Sequence, residues 1–425
     1  MTDQPSNAGD SNAIQFVCTS CKKTLRISRD LSGSIAKCPS CGSIENVPAL
    51  APETTATTPP LGSSGSVPPT STLPPVKAVV TDDPKQDQPI DPRRLVIRKN
   101  EVEDEKAADS PTRQLFDKIV AEIAKIYVGQ DELVLGTLVA LFSSGHVLIE
   151  SVPGLGKTLF VRTLGRILGC QFGRIQFTAD LMPSDITGAP IFDMKQQEFR
   201  FRPGPVFTQL LLADEINRSP AKTHAALLET MQEYRVTVDG VSHALDKPFI
   251  VLATQNPIES EGTYNLPEAQ LDRFMFKLMA NYPGESEEAD ILKLHSQQVD
   301  LNRRLEEEVS QITTPDEIQK ITKSNGQILI DDKLIDYINK IVRLTREWPQ
   351  FHMGASPRAG IAIMQGARTL AAFYGRDYAI PDDVIGIALP ALRHRVILTA
   401  ESDVEGHNVD DLLHELVRSV EVPRL

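Results

Sequence analysis

The sequence has no long apolar run, few cysteines and no excess of basic charge, and each shortage excludes a class of protein. A membrane-spanning helix needs about 20 consecutive apolar residues. The best candidate, around Leu133 to Phe142, is too short, so no span is expected. Lys and Arg total 44 against 57 Asp and Glu, a formal net charge of −13. That balance argues against nucleic acid or an anionic membrane as a partner held by bulk electrostatics. The stretch Met1 to Asn12 is polar and acidic, with no basic region leading into an apolar one. No secretory leader is expected from it, and a cytoplasmic protein is. There are only 5 cysteines, and where thiols stay reduced, paired cysteines are metal ligands before they are disulfides.

Four of the five make two C-x-x-C knuckles, Cys18/Cys21 and Cys38/Cys41, in Phe16-Val-Cys-Thr-Ser-Cys21 and Lys37-Cys-Pro-Ser-Cys-Gly42. The spacing is that of a zinc ribbon: each knuckle aims two thiolates at one point, and four thiolates close a tetrahedral structural Zn²⁺ site. The fifth, Cys170, stands alone and is expected to be a small buried hydrophobe. Residues 1–50 form the ribbon-like segment. Residues 51–110 are rich in Pro, Ser and Thr and then in mixed charge, and are expected to be a linker. Regular structure is expected to resume near Pro111.

The chemistry is concentrated further on. Val147 to Ile149 is a buried-strand pattern, and Phe160, Leu164, Ile167 and Leu168 recur at helical spacing. Between them lies Ser151-Val-Pro153-Gly154-Leu155-Gly156-Lys157-Thr158, the strand-loop-helix context of a phosphate-binding loop. Its backbone N–H groups would face phosphate oxygens, with Gly154 and Gly156 permitting the positive φ this needs. Lys157 would reach the β- and γ-phosphates of a nucleotide, and Thr158 would give a hydroxyl to Mg²⁺. Ser151 stands where the motif usually has its first glycine, which a negative φ would allow. The run Gln209-Leu-Leu-Leu-Ala-Asp214-Glu215 carries an acidic pair to the carboxyl edge of a buried strand. There Asp214 would hold the Mg²⁺ shell and Glu215 would polarise the attacking water. A further apolar run, Phe249-Ile-Val-Leu-Ala-Thr254, leads to Asn256, whose amide suits a γ-phosphate sensor. Helices are expected from Gln114 to Ile126, Leu133 to Phe142, Ala359 to Leu370 and Ala371 to Tyr374, with another starting at Pro381. Arg174 to Phe177 is expected to be a strand. His394 and His407 have no evident partner and are expected to be surface or packing residues.

Joint occurrence of these blocks resembles the MoxR family of AAA+ ATPases. The matching blocks include Ala213-Asp-Glu-Ile-Asn-Arg-Ser-Pro220, Leu227-Leu-Glu-Thr-Met-Gln-Glu233, Gln255-Asn-Pro-Ile-Glu259, Leu266-Pro-Glu-Ala-Gln-Leu-Asp-Arg-Phe274 and Gly354-Ala-Ser-Pro-Arg358. The resemblance covers about residues 111–425 and excludes the ribbon and linker. It implies an α/β P-loop core at 111–283, with a parallel five-stranded sheet in the order 5-1-4-3-2, and an all-helical lid at 284–425. It also implies a homo-oligomeric ring, a hexamer, with ATP between subunits. Two hairpins fit it, Ile191 to Met194 with Glu198 to Arg202, and Arg235 to Val241 around an Asp-Gly turn. Arg273 matches the family's arginine finger. Arg358 matches the sensor 2 arginine, which in relatives reaches the phosphates from the lid.

The implied function is ATP-driven, chaperone-like remodelling, maturation or activation of protein complexes, with a partner carrying a von Willebrand factor A domain. Two other functions use some of the same features: an ATP-gated regulatory adaptor whose ribbon binds nucleic acid, and a chelatase-type motor subunit. Residues 1–50 hold five basic against four acidic residues, with Phe16 as the only aromatic, which argues against the adaptor.

Overall fold

The computed structural model describes residues 13–17, 24–28, 35–37, 44–46, 110–256, 264–296 and 301–424. The chain divides into two units, Met1–Pro84 and Lys85–Leu425. In the first unit, β1 (Ala13–Val17) pairs antiparallel with β2 (Thr24–Ser28), and β3 (Ile35–Lys37) with β4 (Ile44–Asn46). Cys18, Cys21, Cys38 and Cys41 lie outside the described residues.

The second unit is built on five parallel strands: β5 (Val147–Ser151), β6 (Phe172–Gln176), β9 (Leu210–Asp214), β12 (Ile250–Gln255) and β13 (Phe276–Ala280). Their spatial order is β13-β5-β12-β9-β6, which is the 5-1-4-3-2 order expected. The pattern of burial explains the order. β5, β9 and β12 are near-continuous apolar runs, as strands covered on both faces must be, whereas β13 alternates and β6 is mostly polar, as edges can be. Period-2 geometry sends Val147 and Ile149 into one core and Leu148 into the other.

The first of these cores runs without a break into the lid. Helix Asp131–Phe142 is apolar on every side and buried from Leu133 onward, because it is enclosed between β13 and the lid helices Pro315–Asn325 and Pro357–Phe373. Where helix Pro357–Phe373 passes β13, a Cβ on Gly366 would stand 2.7 Å from Ile387 and 3.0 Å from the Phe276 ring, so only glycine fits that approach. The expected break between Leu370 and Ala371 is absent; one helix covers both. The first helix begins at Pro111, behind Ser110, and ends at Ile123; a turn continues to Ile126 before left-handed Gly129 and Gln130 redirect the chain. The strand placed at Arg174 to Phe177 begins two residues earlier, at Phe172.

Two hairpins leave the sheet's second face. The first is β7 (Gly188–Asp193) with β8 (Glu198–Pro203), and the second is β10 (Arg235–Val238) with β11 (Val241–Ala244). The second turns through Asp239 and Gly240, both at positive φ (49° and 77°). A two-residue loop of this hand matches the right-handed twist of its strands. Phe201 of β8 stacks on His243 of β11 with ring centroids 4.0 Å apart, joining the hairpins. Cys170 is a buried free thiol whose pKa burial pushes up to about 12, an inert core group as expected. His407 is a surface residue beside Glu405, but His394 is buried and bonds the Phe274 carbonyl. Among the described residues, no helix is long and apolar enough to cross a membrane.

His146, at the entry to β5, makes the core sensitive to acid. Its Nδ1 accepts from the Val251 N–H (3.0 Å), so Nε2 carries the proton and donates to the Met231 carbonyl (3.1 Å). Burial lowers its pKa from 6.5 to about 4, only partly opposed by the bond to Met231. A depressed folded pKa means that this stabilisation is complete above about pH 6.5 and is lost as pH falls from there toward 4. Wild type should therefore lose about 2 kcal/mol through this group between pH 7 and 5, and His146→Asn should lose about that much less in urea titrations. Equal losses would contradict the assignment.

Candidate nucleotide site

The phosphate-binding loop is positioned by β5 and by the helix it launches, Lys157–Leu168. Gly154 and Gly156 sit at φ 86° and 71°, as the loop requires. Ser151 is the last residue of β5, paired with Ala280 and buried, with its backbone outside the positive-φ region. Serine is therefore tolerated there, and its hydroxyl gains a use: Lys157 donates from Nζ to Ser151 Oγ and to the Val152 carbonyl. Burial lowers the Lys157 pKa, and the charges of Asp214 and Glu215 oppose that shift. The lysine and the acidic pair thus share one electrostatic neighbourhood.

Asp214 ends β9 at the carboxyl edge. Its Oδ1 accepts from Thr254 Oγ1 (2.7 Å) and its Oδ2 from Arg174 (2.6 Å). Carboxylate and hydroxyl oxygens are the hard donors Mg²⁺ takes, so Asp214, whose charge Arg174 balances here, and Thr158 in the first turn of the adjoining helix would suit the ion. Glu215 adopts φ 55°, a conformation disfavoured for a residue with a side chain and common at functional positions. Its N–H donates to Thr254 Oγ1 (2.8 Å), and its carboxylate accepts from Gln176 (2.8 Å) and Arg218 (3.0 Å). Thr254 therefore fixes both acids at once. Sequence reasoning passed over it, although it precedes Asn256 by two residues at the end of the same strand, β12. Asn256 lies at that edge, half-buried.

A second omission is the pocket beside the loop. A cavity of about 410 Å³ is lined by Tyr127, Val128, Pro153, Leu159, Tyr282 and Leu292, among others. Tyr282 and Leu292 remain 68% and 70% exposed, apolar surface on a concave wall. Tyr127 Oη donates to the Leu155 carbonyl (3.2 Å), tying this wall to the loop. A concave apolar wall next to a phosphate cradle has the size and character to take a nucleoside base, which makes this cavity the candidate site for it.

The two arginines are placed elsewhere. The Met275 N–H donates to the His146 carbonyl, which puts Arg273 at the amino end of β5, at the opposite end of the sheet from the P-loop. Arg273 donates to the Leu228 carbonyl (2.8 Å). Arg358 begins a lid helix at the same end, 4.0 Å from the Asp272 carboxylate and 51% exposed. The structure does not bring Arg358 to its own subunit's phosphate loop.

Comparison with known proteins agrees with this geometry. Residues 146–276 match a model of the ATPase family associated with various cellular activities, and residues 343–416 match the AAA lid domain. The chain is 44% identical over 309 residues to the uncharacterized protein YeaC of Bacillus subtilis, covering 73% of this chain and 95% of that one. It is 42% identical over 319 residues to Chaperone MoxR1 of Mycobacterium tuberculosis, covering 73% and 83%. A crystal structure of a candidate ATPase from Cytophaga hutchinsonii superimposes with a TM-score of 0.69 at 38% identity, covering 75% of this chain and 98% of that one. Fold and site together define an ATP hydrolase of the AAA+ class, using ATP with Mg²⁺. Within that class, the chain belongs to the MoxR family.

The base pocket is testable. Val128→Trp should fill it and weaken ATP binding by about tenfold or more, roughly 1.4 kcal/mol, with no change in melting temperature. Unchanged affinity measured by calorimetry would place the base elsewhere.

Proposed function

We propose that this protein is a MoxR-type ring ATPase, chaperone-like in action, that couples ATP binding and hydrolysis to remodelling or maturation of partner protein complexes. One observation carries the ring. Arg273 and the P-loop lie at opposite ends of β5, separated by roughly 15 Å of strand at about 3.3 Å per residue, so Arg273 is suited to a neighbour's nucleotide rather than to its own. Arg358, at the same end, is assigned to that neighbour's phosphates too. Within one subunit Lys157 and the loop amides hold the phosphates, Thr158 and Asp214 hold Mg²⁺, Glu215 orients water and Asn256 senses the γ-phosphate. We infer a hexamer, in line with the family resemblance, and a von Willebrand factor A domain protein as the partner.

The remodelling role is supported by the chaperone name of the Mycobacterium tuberculosis relative. It is also supported by the β7–β8 hairpin, which leaves Ile191, Phe192, Met194 and Phe199 between 46% and 85% exposed. Apolar side chains held out on a hairpin suit contact with another protein. The first unit is assigned a structural Zn²⁺. Each C-x-x-C pair falls between the two strands of one hairpin, Cys18/Cys21 between β1 and β2 and Cys38/Cys41 between β3 and β4, as a ribbon requires.

The roles within one subunit are tested by two variants. Glu215→Gln should bind ATP normally and lose at least about 10²-fold in turnover, because it acts on water in the transition state; Lys157→Ala should lose affinity. Near-wild-type turnover by Glu215→Gln would refute the assignment. Metal analysis of freshly purified protein should find one zinc per chain, and a substoichiometric value would refute the ribbon.

A further inference from the structure

The tripeptide Arg393-His394-Arg395 leaves the carboxyl end of lid helix Pro381–Leu392 and enters the core. All three residues are buried. Arg395 caps its own helix by donating to the Ala391 carbonyl, and its remaining N–H groups reach across to the segment that carries Arg273. Nε bonds Asp272 Oδ1 (2.7 Å), Nη2 bonds the carbonyls of Phe274 (2.6 Å) and Asp272 (3.3 Å), and Nη1 bonds the Met275 carbonyl (3.1 Å). His394 Nε2 also bonds the Phe274 carbonyl (3.0 Å), and Arg393 bonds the Lys277 carbonyl (3.2 Å). The backbone on both sides of Arg273 is therefore held by the lid. The other oxygen of the same carboxylate faces a second lid element. Ser356 Oγ donates to Asp272 Oδ2 (2.9 Å) and accepts from the Arg358 N–H (3.2 Å), setting the first turn of the helix that bears Arg358.

The geometry points to Arg395 and Asp272 as positioning residues that hold Arg273 of the core and Arg358 of the lid as one pair, so that lid position determines where both arginines are presented. This rests on the reading that Arg273 acts on a neighbour's nucleotide. A planar fork with five donors can bond a carboxylate and several carbonyls together; a lysine ammonium at the same place cannot. Arg395 is buried, and both residues lie at the end of the sheet away from their own P-loop. Their effect is one of aim, to which transfer chemistry is steeply sensitive.

The test uses full-length Arg395→Lys and Asp272→Asn, with Arg273→Ala as the reference and Lys157→Ala as the mixing partner. Arg395→Lys should lose about 10²-fold in kcat and Asp272→Asn about tenfold, while ATP affinity stays within about twofold of wild type. Mixing either with Lys157→Ala should restore turnover, because a mixed ring pairs an intact P-loop from one protein with a well-held Arg273 from the other. Should Arg395→Lys fail to fold, the near-isosteric Asp272→Asn decides alone. Wild-type turnover by these variants beside an inactive Arg273→Ala overturns the positioning role and leaves the finger intact. Loss without rescue, although hetero-oligomers form and Arg273→Ala is rescued, reduces the pair to a structural latch. An active Arg273→Ala removes the finger itself, and the positioning role with it.

Discussion

The parallel direction of the five central strands is the constraint on which this site depends, because it fixes which groups can meet within one chain. Strand carboxyl ends gather the P-loop after β5, the acidic pair after β9 and the amide after β12. Strand amino ends gather Arg273, and the lid brings Arg358 beside it. On the proposed reading, the groups that hold ground-state phosphates sit together within a subunit, while Arg273 and Arg358, at the other end of the sheet, are turned to a neighbour's phosphoryl group. The proposed ring would answer that division, each subunit supplying what its neighbour lacks. Reversing any central strand would break the division before any side chain was changed.

The lid is fixed to this arrangement by two different forces. Apolar burial is broad and non-directional, and it runs from the sheet through helix Asp131–Phe142 into the lid without a seam. The buried basic tripeptide is narrow and directional. Arg393 pairs with Glu132 (2.7 Å) and Asp410 (3.0 Å), and Arg395 with Asp272 (2.7 Å). Burying such charges carries a large desolvation cost that pairing only roughly offsets, so their value lies in register more than in stability. Apolar contact sets no direction of its own, whereas carbonyls met by a guanidinium fork fix one.

What the sequence disclosed follows the reach of each signal. Val147 to Ile149, Leu210 to Ala213 and Ile250 to Thr254 are legible as buried strands because both their faces are apolar, and the residues that end them are legible through the chemistry that phosphate demands. The Asp239-Gly240 turn is legible because two successive positive φ angles select those residue types. Less visible was whatever depended on contacts distant in sequence. Thr254 resembles an ordinary strand residue until its hydroxyl is seen between Asp214 and Glu215. His394 has no partner within its own neighbourhood in sequence; its partner, Phe274, lies 120 residues away. The cavity beside the P-loop draws Tyr127, Leu159 and Tyr282 from three segments that carry no common pattern. Arg358 illustrates a different limit: its motif indicated phosphate contact, but not in which subunit.

The proposed mechanism requires a second copy of the chain for catalysis. Its most direct test is the specific ATPase activity of wild-type protein across a dilution series, with oligomer mass measured at each concentration under saturating ATP and Mg²⁺. Activity per subunit should fall in step with the loss of oligomers and approach that of Arg273→Ala in the monomer range. Activity per subunit that stays constant as the protein becomes monomeric would contradict the claim.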